Sequence, residues 1–412
     1  MISCPQRSHL VRVATTAVLV LFGMTAFADE RSQRTADLEQ RLNTVVDTAL
    51  AQQRIVGAVV MVLHDGHVVY HRAAGYLDRE AQIPMSAGTI FRLASSSKAI
   101  TSAAAMALVE RGLLSLDDPV TKWLPEFRPT APDGGTPNIT IRELLTHTSG
   151  LSYPFWEATD GPYHRAGVSS GLDQPGLDLE EELRRLSIAG LLSAPGTQWR
   201  YSLSIDVLGA VISKATHKPL QEAIRSLITG PLHMSDTGFK VTDVHRLAVP
   251  YYNASPSPKR MGEVRDVNFG GAVSLTFVPS RMFNANSFPS GGAGMAGTAE
   301  DYARFLEAVR NGGGPILKRG TVQLMMKNQV GDLQILSGPG WGFGFGAAVV
   351  TDAAAARTSL AVGSWSWSGA YGNSWFVDPA NRLTAVAFTD TAPEGDSGPF
   401  AMEVRKAVYG TP

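Results

Sequence analysis

One stretch limits what this chain can fold into: Phe91-Arg-Leu-Ala-Ser-Ser-Ser-Lys-Ala-Ile-Thr-Ser-Ala-Ala-Ala-Met-Ala-Leu-Val-Glu110. Beyond Lys98 it is alanine-rich, free of Gly and Pro, and carries an apolar face at Ile100, Ala104 and Leu108, which predicts a strong helix. Its start holds the only Ser-x-x-Lys in the chain, Ser95 to Lys98. Three residues are nearly one helical turn, so the two side chains would share a face. A helix N-terminus also offers free N–H groups and the positive end of the macrodipole. A serine with an amine one turn away, at such an end, is a candidate activated nucleophile. The same four residues also suit a capping serine and a solvated lysine, so the rest of the chain must decide.

A length of 412 residues points to two domains, or one domain with an insertion. Net charge is −1 and charged residues make up 18%, with no basic run of the kind that binds nucleic acid. The N-terminus reads as a secretory leader: Arg7 and Arg12 are followed by an apolar run from Val13 to Phe22 and by Ala26-Phe-Ala28, with cleavage expected before Asp29. The run is too short for a stable membrane anchor, so an exported bacterial protein, periplasmic or secreted, is expected. The single cysteine, Cys4, precedes the apolar run and is not placed for lipid attachment. The mature chain would then lack cysteine, which excludes disulfides, thiol catalysis and Cys-ligated metal.

Taken in order, Leu38, Leu42, Val45, Val46 and Leu50 mark an amphipathic helix over 36–54. An apolar strand from Ala58 to Leu63, the turn Asp65-Gly66 and a return through His67 to Tyr70 predict a β-hairpin. His64, His67 and His71 lack a further ligand at metal spacing and read as exposed strand histidines. From Thr101 to about Lys240 the pattern is mostly helical, with helices over 178–192, 203–215 and 219–229 and a capping box at Thr140 and Glu143. Residues 153–178 read as a long loop and 246–290 as an irregular lid or rim. Thr298 caps a helix to Asn311; strands follow at 344–350, 359–367, 373–378 and 383–389, and a last helix at about 397–409. The fold class is α+β: an antiparallel sheet, flanked by helices and built from both chain ends, with a mainly helical insertion. The expected division is a leader over 1–28, an α/β domain from 29–100 and 291–412, and a helical domain with lid-like loops over 101–290.

Two motifs mislead. Gly167-Val-Ser-Ser-Gly171 matches the nucleophile elbow, but no strand precedes Ser169 and no helix follows it. Gly292-Ala-Gly-Met-Ala-Gly297 matches a dinucleotide fingerprint without the leading strand, and reads as a flexible loop near the site.

Three separated pieces remain: Ser95 to Lys98 at a helix start, Tyr201 after the Pro195-Gly196 turn, and Trp367-Ser-Gly-Ala370 in the last sheet. With Leu144-Leu-Thr-His-Thr-Ser-Gly-Leu151, Pro195-Gly-Thr-x-Trp-x-Tyr-Ser202, Thr298-Ala-Glu-Asp-Tyr302 and Ser374-Trp-Phe-Val-Asp-Pro379, their order resembles the serine β-lactamase and penicillin-binding-protein superfamily. Within it the chain looks most like the class C β-lactamase-like esterases, the family VIII carboxylesterases. The likeness covers roughly 38–409. Two departures matter. Leu203 stands where a β-lactamase of this class carries the Asn of Tyr-x-Asn, and Trp367-Ser368-Gly369 stands for Lys-Thr-Gly. Loss of that cation disfavours an anionic β-lactam, and an indole suits an uncharged ester.

The resemblance implies a serine esterase acting on small, short-chain esters, with neither metal nor cofactor. It implies that Ser95 is the nucleophile and that Lys98 or Tyr201 takes its proton. The Ser95 and Ala370 amides would hold the oxyanion, and Trp367, Ser368, Gly369 and Leu203 would contact substrate. A free lysine (pKa about 10.4) or tyrosine (about 10) is a poor base at neutral pH, so the surroundings must tune one of them. His147 reads as a turn histidine. A β-lactamase or D-alanyl-D-alanine carboxypeptidase, and a non-catalytic sensor on the same fold, are the rival readings.

Overall fold

The two ends of the chain meet in one sheet. The computed structural model describes Met1, Gln33 and residues 35–410; the expected leader over 1–28, Met1 aside, lies outside them. A helix over 35–51, α1, opens the fold. Strands β1 (Gly57–His64), β2 (His67–Asp78) and β3 (Ile83–Pro84) follow. The C-terminal part supplies β4 (Trp341–Phe343), β5 (Ala348–Val350), β6 (Trp365–Gly369), β7 (Asn373–Asp378) and β8 (Leu383–Thr389). They form one antiparallel sheet in the order β4-β5-β6-β7-β8-β1-β2-β3. The Asp65-Gly66 turn has both residues at positive φ, as a two-residue hairpin requires. His64 and His67 pair across it, and His71 lies opposite Met61.

Strand β1 shows why the sheet is central. Its successive side chains alternate between two cores: Ala58, Val60 and Val62 join α1 on one face, while Val59, Met61 and Leu63 join the helices on the other. A strand covered on both faces reads as a continuous apolar run, which is the sequence seen here. The C-terminal helix α5 (Pro399–Tyr409) lies with α1, burying Phe400 and Val404.

The other face packs on α2 (Ser97–Glu110) and α4 (Ala299–Arg310). Helix α2 is buried on all sides from Ser97 to Leu108, beyond the single apolar face that its spacing predicts. Its alanines let neighbouring elements approach closely, among them α3 (Ser204–Thr216). One hydrophobic core runs from Val59 on the sheet through Ile100 and Leu108 to Val207 and Ile228, so the helical block shares its core with the sheet.

The stretch read as an irregular rim contains a hairpin, Arg265–Gly270 paired with Val273–Phe277. Val267, Leu275 and Phe277 point inward while Asp266, Asn268 and Ser274 face out, and Gly271-Ala272 makes the turn. The alternation is present in the sequence, but the glycines and asparagines hide it. Short strands Ile90–Arg92 and Ala296–Thr298, also unforeseen, pair beside the Ser95 turn. Among the described residues, no helix is long and apolar enough to cross a membrane.

Candidate active site

Ser95 sits in a tight helical turn, Ala94–Ser96, that runs directly into α2. Ala94 is fully buried with φ +42°, a left-handed conformation that costs a residue with a Cβ. Surrounding elements hold the turn in place. Asn373 Nδ2 donates to Arg92 O at 2.7 Å, Tyr302 Oη donates to Ser96 O at 2.9 Å, and the Leu93 amide donates to Met295 O at 2.8 Å. The first helical bond runs from the Ser96 amide to Leu93 O, so the Ser95 amide lies outside the ladder.

Lys98 is one turn on and 1% exposed. Its Nζ donates to Ser95 Oγ at 3.2 Å and to Gly292 O at 2.8 Å. The Tyr201 and Tyr153 rings lie 4.7 Å and 5.4 Å from the same nitrogen. Behind them Asp206, buried on α3, accepts from Ser290 Oγ at 2.5 Å and from the Gly292 amide at 3.3 Å through Oδ1. Its Oδ2 has no hydrogen-bond partner among the described residues. Burial raises the Asp206 pKa, and the Lys98 charge opposes that rise. Asp206 thus holds the amide of the residue whose carbonyl holds Lys98. A Cβ at Gly292 would run into the Asp206 carboxylate and come within 3.3 Å of Lys98 Nζ, so glycine is required there. The supposed dinucleotide motif is this close approach of backbone to lysine.

Tyr201 enters just before α3, mostly buried, and its Oη accepts from Trp367 Nε1 at 3.4 Å. His147 packs 4.9 Å from the Tyr201 ring, with Nδ1 3.2 Å from Ser202 Oγ. Burial, reinforced by the Lys98 charge, holds its pKa well below the usual histidine range. It does not line the cavity.

A cavity of about 680 Å³ opens over Ser95. Tyr153, Phe155, Trp156 and Tyr201 line one side, and the 265–277 hairpin adds Phe269, Val273 and Leu275. Trp367, Ser368 and Ala370 line it as expected. Two expected contacts do not. Leu203 is fully buried in the helical core: an apolar side chain at the entry to α3 finds other apolar side chains rather than the cavity. Gly369 supports the site without lining it, because a Cβ there would strike Leu93 O and approach Ser96 Oγ. Its absence lets the end of β6 dock on the Ser95 turn, and the next residue, Ala370, lines the same cavity as Ser95. Neither the Ser95 nor the Ala370 amide has an acceptor among the described residues.

Ser169 lies elsewhere. It is completely buried, its amide donates to Glu182 Oε2 at 3.1 Å and its Oγ donates to Asp173 Oδ1 at 2.5 Å. Sequence reasoning missed Asp206 and the aromatic wall. Asp206, five residues after Tyr201, carries no motif, whereas Tyr153, Phe155 and Trp156 cluster visibly in a loop.

Comparison with known proteins identifies the family. The Beta-lactamase family description matches residues 42–408. Esterase EstB of Burkholderia gladioli is 48% identical over 376 residues, covering 91% of this chain and 96% of that protein. The solved structure of EstCE1, described as a hydrolase with promiscuous acyltransferase activity, superposes with a TM-score of 0.88 at 43% identity, covering 91% of this chain and 99% of that one. Simvastatin synthase (LovD) from Aspergillus terreus, at 24% identity and a TM-score of 0.71 over 90% of this chain and 97% of that one, shares the fold. The chain belongs to the beta-lactamase family, on its family VIII-like carboxylesterase branch.

Proposed function

We propose that this protein hydrolyses carboxylic esters through a covalent acyl-enzyme on Ser95. The observation that carries the reading is Lys98 Nζ at 3.2 Å from Ser95 Oγ, where Ser95 opens onto a cavity with an aromatic wall. The high identity to a protein named as an esterase supports it. Ser95 Oγ attacks the ester carbonyl carbon, and its proton passes to Lys98, which in its amine form accepts from Ser95 while donating to Gly292 O. The Ser95 and Ala370 amides receive the oxyanion; one such donor contributes about 2.7–4 kcal/mol to the transition state. The tetrahedral intermediate collapses, the C–O bond to the alcohol breaks, and the alkoxide takes a proton from Lys98 or through the Tyr201 hydroxyl. Water then attacks the acyl carbon, gives up its proton by the same route, and releases the acid and Ser95.

Trp367 in place of a lysine removes the cation that a β-lactam carboxylate would meet at this position, which supports carboxylic esters over β-lactams as substrates. The pattern of residues 7–28 supports export through a cleaved leader; N-terminal sequencing of the secreted or periplasmic protein should begin at Asp29. The direct test is hydrolysis of p-nitrophenyl acetate and butyrate, with mass spectrometry of the acyl-enzyme. Turnover with an acyl adduct on Ser95 supports the reading. Turnover of a chromogenic cephalosporin but not of these esters would shift it to a β-lactamase.

A further inference from the structure

The cavity has a second lobe that the ester chemistry leaves unused. Strand β5 pairs with β6 only at Ser366 and Trp365, so Trp367, Ser368 and Gly369 present an open edge on that side. The cavity folds around this edge. Trp367 faces Tyr201 on one side of the sheet. Ser366 and Ser368 face the other side, because they pair with Phe376 and Ser374, the latter opposite Ala387. There the lining includes Ser366, Ser374, Asp396, Ser397 and Arg405 of α5. Arg405 has no ion pair or hydrogen bond among the described residues; its buried Nε is unpartnered, and its guanidinium lies 6.0 Å over the Phe376 ring. Among the described lining residues the one carboxyl is Asp396, which is engaged by the Ser368 and Ser397 hydroxyls. The exposed Arg357 is a second cation lining the cavity.

A half-buried guanidinium whose Nε is buried without a partner favours a carboxylate or phosphate counter-ion. Of the hydroxyls around it, Ser368 and Ser397 hold Asp396 and Ser374 donates to Ala387 O, which leaves Ser366 facing the cavity to meet an anion beside the guanidinium. We propose that this lobe binds the carboxylate of a substrate whose ester carbonyl is at Ser95, with Arg405 as the counter-charge. The substrate class is thereby narrowed to esters carrying a free acid on the acyl or alcohol portion. The cation absent from position 367 is replaced in function by one across the strand edge. Burial lowers the Arg405 pKa from its ordinary value, as expected for a guanidinium lacking its partner.

This inference rests on the esterase reading for turnover, but its binding part does not. The test compares mono-p-nitrophenyl glutarate, which carries a carboxylate, with neutral p-nitrophenyl butyrate on the parent, Arg405→Gln and Arg405→Lys. The kcat/KM ratio of glutarate to butyrate should fall roughly 10- to 100-fold in Arg405→Gln and recover in part in Arg405→Lys. An unchanged ratio overturns the proposal, whether both rates fall together or neither falls. Free glutarate is titrated in parallel against the Ser95→Ala protein, with thermal stability as the readout. A rise in Tm that Arg405→Gln abolishes supports the lobe even if no ester is turned over. No rise, or an equal rise in both proteins, overturns it.

Discussion

The chain carries two serines in motifs associated with nucleophiles, and their surroundings differ in every respect that matters. Ser95 opens onto a cavity, follows a strained left-handed alanine and has a lysine nitrogen at 3.2 Å. Ser169 is sealed in the interior, where its hydroxyl and amide bind the carboxyls of Asp173 and Glu182. A nucleophile needs access, a proton acceptor and oxyanion donors together. Ser169 has a potential acceptor in Asp173 but no access to substrate, and it serves as a knot tying a loop to a helix. A short motif names a residue, and the neighbourhood assigns its work.

The largest expected effect tests that contrast directly. Ser95→Ala should abolish ester turnover, with kcat down by about 10⁴-fold or more by analogy with serine nucleophile knockouts. An equal loss in a folded Ser169→Ala protein would break the comparison. Tyr201→Phe, which removes only a hydroxyl, should lower kcat by roughly 10²–10⁴-fold if that oxygen relays protons. A change confined to KM would place Tyr201 in binding alone.

Asp206→Asn sharpens the comparison further, because this buried carboxylate acts on Lys98 only through Gly292 and across space. Kcat should fall about 10–100-fold with KM nearly constant and with a displaced pH–rate profile, and Asp206→Glu should not rescue it, since the longer side chain moves the carboxylate off Ser290 Oγ and the Gly292 amide. An unaltered pH profile would reduce Asp206 to a packing role.

Smaller effects belong to the Ser169 knot. Burial pushes the Glu182 carboxyl up to about 8, from an ordinary value near 4.5. Between those values the folded protein holds a proton that the unfolded chain has lost. Stability should therefore be greatest below the unfolded pKa, fall as pH rises by at most about 1.4 kcal/mol per unit, and level off above the folded pKa. Glu182→Gln should flatten that slope in denaturation curves taken across the range, and a slope that persists would place the titration elsewhere. Ser169→Ala should cost roughly 1–2 kcal/mol in urea unfolding, from the hydrogen bond lost by Asp173, with ester turnover within about two-fold of the parent.

Much of the site was legible because its parts are local. Ser95 and Lys98 are one turn apart, Tyr201 follows a Pro-Gly turn, and the Trp367 segment lies at a strand end, so spacing and context reveal all three. The capping box at Thr140 and Glu143 and the Asp65-Gly66 hairpin were equally readable, since each depends on residues within four positions. The misreadings were of another kind. The position of Leu203 in its motif points to substrate, yet which way a side chain faces at a helix entry depends on the elements packed there. In the 265–277 hairpin glycine and asparagine interrupt the alternation, so the segment reads as irregular rim until strand pairing restores it.

By itself the sequence determined the local elements: the helix behind Ser95, the strands from both chain ends, and the order of the three catalytic candidates. These follow from periodicity, turn chemistry and one-turn neighbours, all short-range properties of the chain. Only the tertiary structure decided that Asp206 and Gly292 stand together at Lys98, that Gly369 lets β6 dock against the Ser95 turn, and that Arg405 faces the same cavity from α5. Those contacts join residues far apart along the chain, and packing around a shared core is what brings them within reach.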